Sequence, residues 1–437
     1  ITVILYQFIY MKNMIKPLQL FVLCIIVASS SRAQDTLRLT VPQAEEIFLK
    51  NNLSLLAAQY NIKSQEALIK QAKAWDNPVL STDQNLYDGK FFRHGKGSND
   101  IPKDGGQIYI SLQQVIRTAN KRGLQMQLAQ DATKSSEAQF NDLMRNLRYV
   151  LTTDLNNLAQ LQNIARIYET EITNTQKMVR GMEEMYKIGD ISLKDNVRIK
   201  ALLYSLQSDY VDNLRQQQDL QKDIRTMLHI TDNVFVSVQS AALDLQQIQA
   251  IALAPLLDSV KKIRPDVALA NTQLTLQQHN LSYQKALAVP DVTVGLEYDK
   301  ANSYVPNYYG LLLSLPLPVL NKNRGNIVSA QWSIKQWQTQ LQQMQTVAQN
   351  EVLSAYNKLM TLVNVQRSVG DWQNSYDKLL QNMIESYRQR KVSLVDFIDF
   401  FDSYKETKIR QWQQQTNLLN AIAELNYVTN QNVLSLK

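Results

Sequence analysis

Two stretches decide the fold: Ala58 to Pro78, AQYNIKSQEALIKQAKAWDNP, and Ala270 to Pro290, ANTQLTLQQHNLSYQKALAVP. Ala58, Lys73, Ala74 and Pro78 fall on Ala270, Lys285, Ala286 and Pro290. The correspondence recurs downstream. Ser111-Leu112 and Arg122-Gly123 match Ser314-Leu315 and Arg324-Gly325, and Tyr186, Ser192, Leu193 and Asp195 match Tyr387, Ser393, Leu394 and Asp396. A period of roughly 200 residues is too long for a solenoid unit and implies two copies of a whole subdomain.

Working outward, the chain punctuates itself sparingly. Its 12 Gly and 10 Pro among 437 residues cluster, and the long intervals between them predict unusually long helices. Only 19% of residues are charged, and Gln and Asn fill the polar faces. Residues 41–76 read as a helix, with Thr40 as N-cap, Pro42 in the first turn and Pro78 as the stop. From Leu124 to about Met185, Leu143, Leu147, Leu151, Leu155 and Leu158 recur in steps of three and four, on one helical face. A second rod, about Asn326 to Arg388, keeps Val352, Tyr356, Leu359 and Val363 in step. Return helices follow from Ser192 to about Leu228 and from Ser393 to about Val428, each serine a candidate N-cap.

Between helices lie alternating segments. Strands are expected at about 79–88, 107–116, 291–299 and 308–316, two per copy. Ile108, Ile110 and Leu112 oppose Tyr109 and Ser111; Val292, Val294, Leu296 and Tyr298 oppose Thr293, Gly295 and Glu297; Leu311, Leu313 and Leu315 oppose Gly310, Leu312 and Ser314. Aromatic residues gather at strand ends: Tyr87, Phe91, Phe92, Tyr298, Tyr304, Tyr308 and Tyr309. They suit a membrane interface or the rim of an ordinary soluble sheet.

Residues 1–33 read as upstream sequence followed by a signal peptide: Lys12 and Lys16, an apolar core Leu18 to Ala28, and Ser31-Arg32-Ala33 as the cleavage site. Cys24 lies within the apolar core, and Leu23 before it argues against acyl anchoring. Removing the three basic residues of this segment lowers the formal net charge from +7 to +4, with no basic stripe for nucleic acid. The expected division is 34–240 for the first repeat, 241–262 for a connector and 263–437 for the second repeat. No later apolar run reaches the ~18 residues of a membrane helix, which leaves barrel strands of about ten residues open. Four strands leave two unpaired edges, which a bilayer forbids, so four per chain close only by association. Three chains give twelve.

The paired hairpins, the repeated Y-x5-S-L-x-D motif and the strand-exit segment SLPLPVLNKNRG (Ser314 to Gly325) resemble the TolC family of outer-membrane efflux channels. The last segment is most similar to the branch that serves heavy-metal exporters. The resemblance spans the chain after residue 33. It implies a mainly α fold with a membrane β part: long helical hairpins building an α-barrel, and four strands per chain in a twelve-stranded trimeric β-barrel. It implies a passive exit duct in the outer membrane of a Gram-negative bacterium, reaching into the periplasm. The implied partners are two further copies, a periplasmic adaptor, an inner-membrane pump and outer-membrane lipid. A non-channel periplasmic coiled-coil scaffold or adaptor is the alternative; it leaves the strands unexplained.

Within that resemblance Asp396 and Asp399, three apart in SLVDFIDFFD, match the selectivity constriction. Threefold symmetry would turn them into rings of carboxylates that favour cations; as single chains they are ordinary acids of a helix N-terminus. Tyr387 matches a gate residue, and Asp195 the aspartate that receives a latch. Val392 stands where the family's latch arginine belongs, so Arg388 or Arg390 reaching Asp195 or Asp190 is the expected substitute. Lys121, Arg122, Lys322 and Arg324 follow the strand exits, either snorkelling to headgroups or starting solvated helices. Gly89 to Gly97 lacks the spacing of a phosphate loop, and His94, His229 and His279 lack ligand spacing, so neither metal nor cofactor is expected. No nucleophile–base constellation points to an enzyme.

Overall fold

A computed structural model describes residues 35–84, 107–239, 245–300, 302, 305–369, 379, 382–387 and 389–434. Strand β1 (Thr36–Leu39) leads into α1 (Val41–Asn51), whose capping box joins Thr40 to Gln43 in both directions. The helix expected over 41–76 is two helices. Asn52 leaves helical geometry, closes α1 and caps α2 (Leu53–Lys73) by accepting the Leu55 N–H at 3.1 Å. The amide that ends one helix starts the next. Ala74 turns extended and ends α2 several residues ahead of Pro78.

Strand β2 (Val79–Gln84) and strand β3 (Ile108–Ile116) precede α3 (Lys121–Lys187), 67 residues and about 100 Å long. Helix α4 (Leu193–Met227) returns along it. Strand β4 (Phe235–Val238), α5 (Leu245–Gln249) and α6 (Leu253–Ile263) form the connector. The second copy follows as α7 (Pro265–Leu287), β5 (Val292–Asp299), β6 (Tyr308–Ser314), α8 (Arg324–Val369) and α9 (Leu394–Thr429). Helical residues 382–387 approach the second tip.

Four strands were expected; the described residues contain six. β1 and β4 form a separate parallel pair, Thr36 opposite Phe235 to Leu39 opposite Val238, clamped to the long helices. Gln221 and Gln162 hold it by accepting the Val236 and Val238 N–H groups at 2.9 and 3.1 Å. Four-residue strands are too short to show alternation. The other four form one antiparallel sheet, β2-β3-β5-β6, in which the two copies meet at β3 and β5.

Three apolar clusters run down the molecule. At mid-height Leu151, Leu155 and Leu158 of α3 pack on Phe48, Ile224 and Val236. Each such leucine contributes about 1.5–3 kcal/mol. The second copy repeats this with Val352, Leu359 and Val363 against Ile422 and Leu425. The third cluster lies toward the tips. Among the long helices the packing order is α4, α3, α9, α8. Beside the connector a buried Arg264 pairs with Asp266 and Glu351, at 2.5 Å each. Arg145, also buried, joins Asp142 and Asp266. Burial pushes the Asp266 carboxyl up, but the Arg264 hydrogen bond and the Arg145 charge outweigh it and hold it below the usual range.

Candidate functional site

The sheet is built inside out for a soluble protein. Leu80 pairs with Leu112, Leu112 with Leu296 and Leu296 with Leu311, one leucine per strand in a single row. All four are between 49% and 79% exposed. Ile110, Tyr298, Tyr309 and Leu313 extend the same face, because side chains alternate with period two. The opposite face is more polar, with Val79, Val115 and Leu312 as its apolar members. Tyr109 donates from its hydroxyl to Glu297 at 2.9 Å, Gln107 donates to Asp299 at 2.8 Å, and Ser111 is buried. Gly310 leaves room on this face: a Cβ there would stand 2.6 Å from the Tyr308 ring and 2.7 Å from Glu297.

Of the expected girdle, Tyr298 and Tyr309 share the apolar face with ring centroids 5.1 Å apart. Tyr308 belongs to the polar face, since it neighbours Tyr309 in one strand. Tyr87, Phe91, Phe92 and Tyr304 lie outside the described residues. The joint below is ionic. Lys121 is neither snorkelling nor solvated: it is buried and donates to Asp291 and to the Val289 carbonyl, at 2.6 Å each. Arg122 lies 4.0 Å above the Trp75 ring.

At the far end the two hairpin tips are built alike. Gly189 and Arg390 both adopt the left-handed conformation, with φ of 76° and 58°. Both turns close by the same bonds: Gly189 N–H to the Tyr186 carbonyl at 3.0 Å, and Arg390 N–H to the Tyr387 carbonyl at 2.9 Å. Ser192 then caps α4, accepting the Asp195 N–H at 3.1 Å and donating to its carboxylate at 2.7 Å. Ser393 and Asp396 repeat this at 3.2 and 2.6 Å. Asp195 and Asp396 therefore have local work in the cap.

Asp396 and Asp399 are exposed on the side of α9 away from Phe397 and Phe401, which are buried. Tyr387 is half-buried. Its hydroxyl donates to Met182 Sδ at 3.4 Å, and its ring lies 5.2 Å from that of Phe397. Burial, then the Asp195 charge, pushes its pKa above the phenol range. Between the tips runs a groove of about 410 Å3, floored by Met178, Met182, Met185, Ile191, Tyr387 and Leu394. Arg390 and Asp190 form an ion pair at its rim, joining the two hairpins. Asp195 lines the groove, and Arg388 lies outside the described residues.

Neither Met182 as an acceptor nor Glu171, buried in α3 with no hydrogen-bond partner for Oε2, is signalled by any local motif. Burial pushes Glu171 up to about 7. The salt-linked knot of Arg145, Asp142, Asp266, Arg264 and Glu351 was also missed, because its members are scattered over three segments.

Residues 46–228 match the outer membrane efflux protein family. A curated relative, the pyoverdine export outer membrane protein OpmQ of Pseudomonas putida, is 23% identical over 288 residues, covering 63% of this chain and 60% of that protein. The outer-membrane channel OprN shares the fold with a TM-score of 0.71 at 15% identity, over 89% of each chain. CusC shares it with a TM-score of 0.69 at 15% identity, over 89% of this chain and 91% of that one.

Proposed function

We propose that this chain is the exit duct of a tripartite efflux system: residues 46–228 match the outer membrane efflux protein family, and 89% of the chain shares the fold of the outer-membrane channel OprN. It conducts solutes delivered by an inner-membrane pump and a periplasmic adaptor. One observation carries the reading: the exposed leucine row across a sheet whose edges, β2 and β6, have no further strand partner among the described residues. Apolar side chains face lipid, polar ones face a lumen, and three copies close twelve strands so that no edge remains in the bilayer.

The gate is assigned to the tips. Asp396 and Asp399, repeated three times, make two acidic collars that favour cations. Tyr387 and Asp195 line the approach. The Arg390–Asp190 pair is the latch that holds the two hairpins of a protomer together at rest. The strand-exit segment Ser314 to Gly325 supports metal ions as cargo, while the relationship to a pyoverdine exporter supports a larger organic cargo.

The test is fractionation followed by conductance. The protein is expected in the outer membrane, as a detergent-stable trimer that conducts in planar bilayers. Recovery as a soluble periplasmic monomer overturns the reading.

A further inference from the structure

Toward the tip, the buried side of α3 carries Ile164, Tyr168, Glu171, Thr175, Val179 and Met182, spaced by three and four so that they form one face. Glu171 stands where the pattern calls for an apolar side chain. It is only 3% exposed, so its carboxyl does not snorkel to water, and Oε2 has no hydrogen-bond partner. A lone carboxylate is strongly disfavoured in such a place, and the group keeps a proton instead. Burial is the cause that raises it from 4.5 to about 7. A leucine here would complete the seam at no such cost, and Glu171 takes no part in the groove, the latch or the acidic collars.

Three helices converge at this level. Asn156 donates to Asn420 at 2.9 Å, which sets α9 antiparallel on α3. The same register, carried toward the tips, brings Lys405 level with Glu171. On the other flank Tyr210 donates to Glu169 at 2.8 Å, which brings Asp209 to this level on α4. Lys405 Nζ lies 3.7 Å from Asp209 and 3.4 Å from Asp402, so α4 and α9 are tied to each other beside α3. Tyr168, one turn from Glu171, is buried in one cluster with Leu206 of α4 and Tyr404 of α9. The cations facing this level among the described residues are Lys405, engaged with two carboxylates, and Lys408, whose Nζ lies 5.8 Å from the Tyr404 ring.

We propose that Glu171 is a proton-sensitive wedge: with its proton it lets α3, α4 and α9 close on one another, and as a carboxylate it admits water and spreads them. The helices it spreads are those that shape the tip. α9 begins with Asp396 and Asp399, and α3 carries Met182, the acceptor of the Tyr387 hydroxyl. The closed arrangement holds the proton up to about pH 7, whereas the hydrated carboxyl holds it only to about 4.5. The spread state therefore gains as pH climbs between these values and levels off above them. Between about pH 5 and pH 7 the equilibrium shifts toward it by roughly 40-fold.

The link to the gate rests on the duct proposed above, and two measurements separate the wedge from it. The first is amide hydrogen exchange of the full chain in detergent, from pH 5 to pH 7, each rate divided by the intrinsic rate of the amide. Wild type is expected to lose protection in peptides around Glu171 and Lys405 by tens of fold, while peptides around Leu151 to Leu158 hold theirs. Glu171→Gln, which keeps the shape of the protonated group, should hold protection throughout; should it fold poorly, Glu171→Leu removes the same titration. Equal pH dependence in wild type and variant, or none in wild type, overturns the wedge. The second measurement is conductance in planar bilayers over the same interval, expected to rise in wild type and to stay flat in Glu171→Gln. Conductance indifferent to pH beside a responsive exchange pattern overturns the link to the gate and upholds the wedge. Absence of any pore overturns the duct, with the wedge decided by exchange.

Discussion

Arg390 occupies a backbone position that its counterpart fills with Gly189. A left-handed conformation costs a side-chain-bearing residue roughly 1–2 kcal/mol relative to glycine. Against this cost stands the ion pair with Asp190, whose partners are 65% and 35% exposed. An exposed pair of this kind contributes about 0.2–1 kcal/mol. Arg390→Gly therefore leaves the stability of the fold unchanged or slightly higher, although it deletes a salt bridge. Its effect on the gate differs. In the proposed trimer, at about 0.5 kcal/mol per latch, three copies would hold the closed state by ~1.5 kcal/mol, about tenfold in the ratio of closed to open channels. Asp190→Asn removes the same latch without touching the strained residue. Both variants are expected to raise resting conductance in planar bilayers to a similar degree, and thermal melting should separate them, with Arg390→Gly the more stable. High salt should raise wild-type conductance toward theirs. If Asp190→Asn conducts like wild type, the pair is no latch. If Arg390→Gly melts several degrees lower, the strain argument is wrong.

Replacing Asp396 and Asp399 by Asn should lower cation preference, read as a smaller reversal potential in a salt gradient. An unchanged potential removes them from selectivity. Arg264→Met breaks a buried charge cluster and should cost about 3–5 kcal/mol, measured as lost thermal stability of the detergent-extracted protein. Asp266 has a depressed pKa, so its contribution is complete above the ordinary carboxylate range and is lost as pH falls through the depressed value. Glu171 behaves oppositely. Its carboxyl is raised from 4.5 to about 7, so stability should decline as pH climbs from 4.5 to about 7 and then level off. Glu171→Gln should flatten that slope in melting curves across the interval; an unaltered slope refutes the assignment.

The duplication and the long leucine repeats were legible because they extend over many turns, so the period stands out from any single residue. Thr40, Ser192 and Ser393 were legible as caps because capping chemistry is local. The break at Asn52 was hidden because the apolar pattern runs through it; only the tertiary bond from its amide to the Met227 carbonyl at 2.9 Å shows why the chain turns there. Lys121 was misread because nothing near it in sequence announces Asp291, which arrives from the other copy. Aromatic clustering groups Tyr308 with Tyr309 but says nothing of strand phase, which puts them on opposite faces. At the tip, Asp190, Asp195 and Arg390 were identifiable by position, but the choice of Asp190 over Asp195 depends on the Ser192 cap already engaging Asp195.

The pairing of β3 with β5 makes the sheet depend on both halves of the chain. Ile116 waits for Val292, so neither half of the polypeptide is able to complete its own portion of the sheet. Long-range pairing of this kind forms slowly and leaves sticky intermediates. Leu80, Leu112, Leu296 and Leu311 are all exposed in the single chain, so on the proposed route to the membrane they would stay uncovered until lipid receives them. If the sheet is the membrane barrel proposed above, its leucine row needs shielding from water until the last strand pairs, whether by a holdase or by lipid.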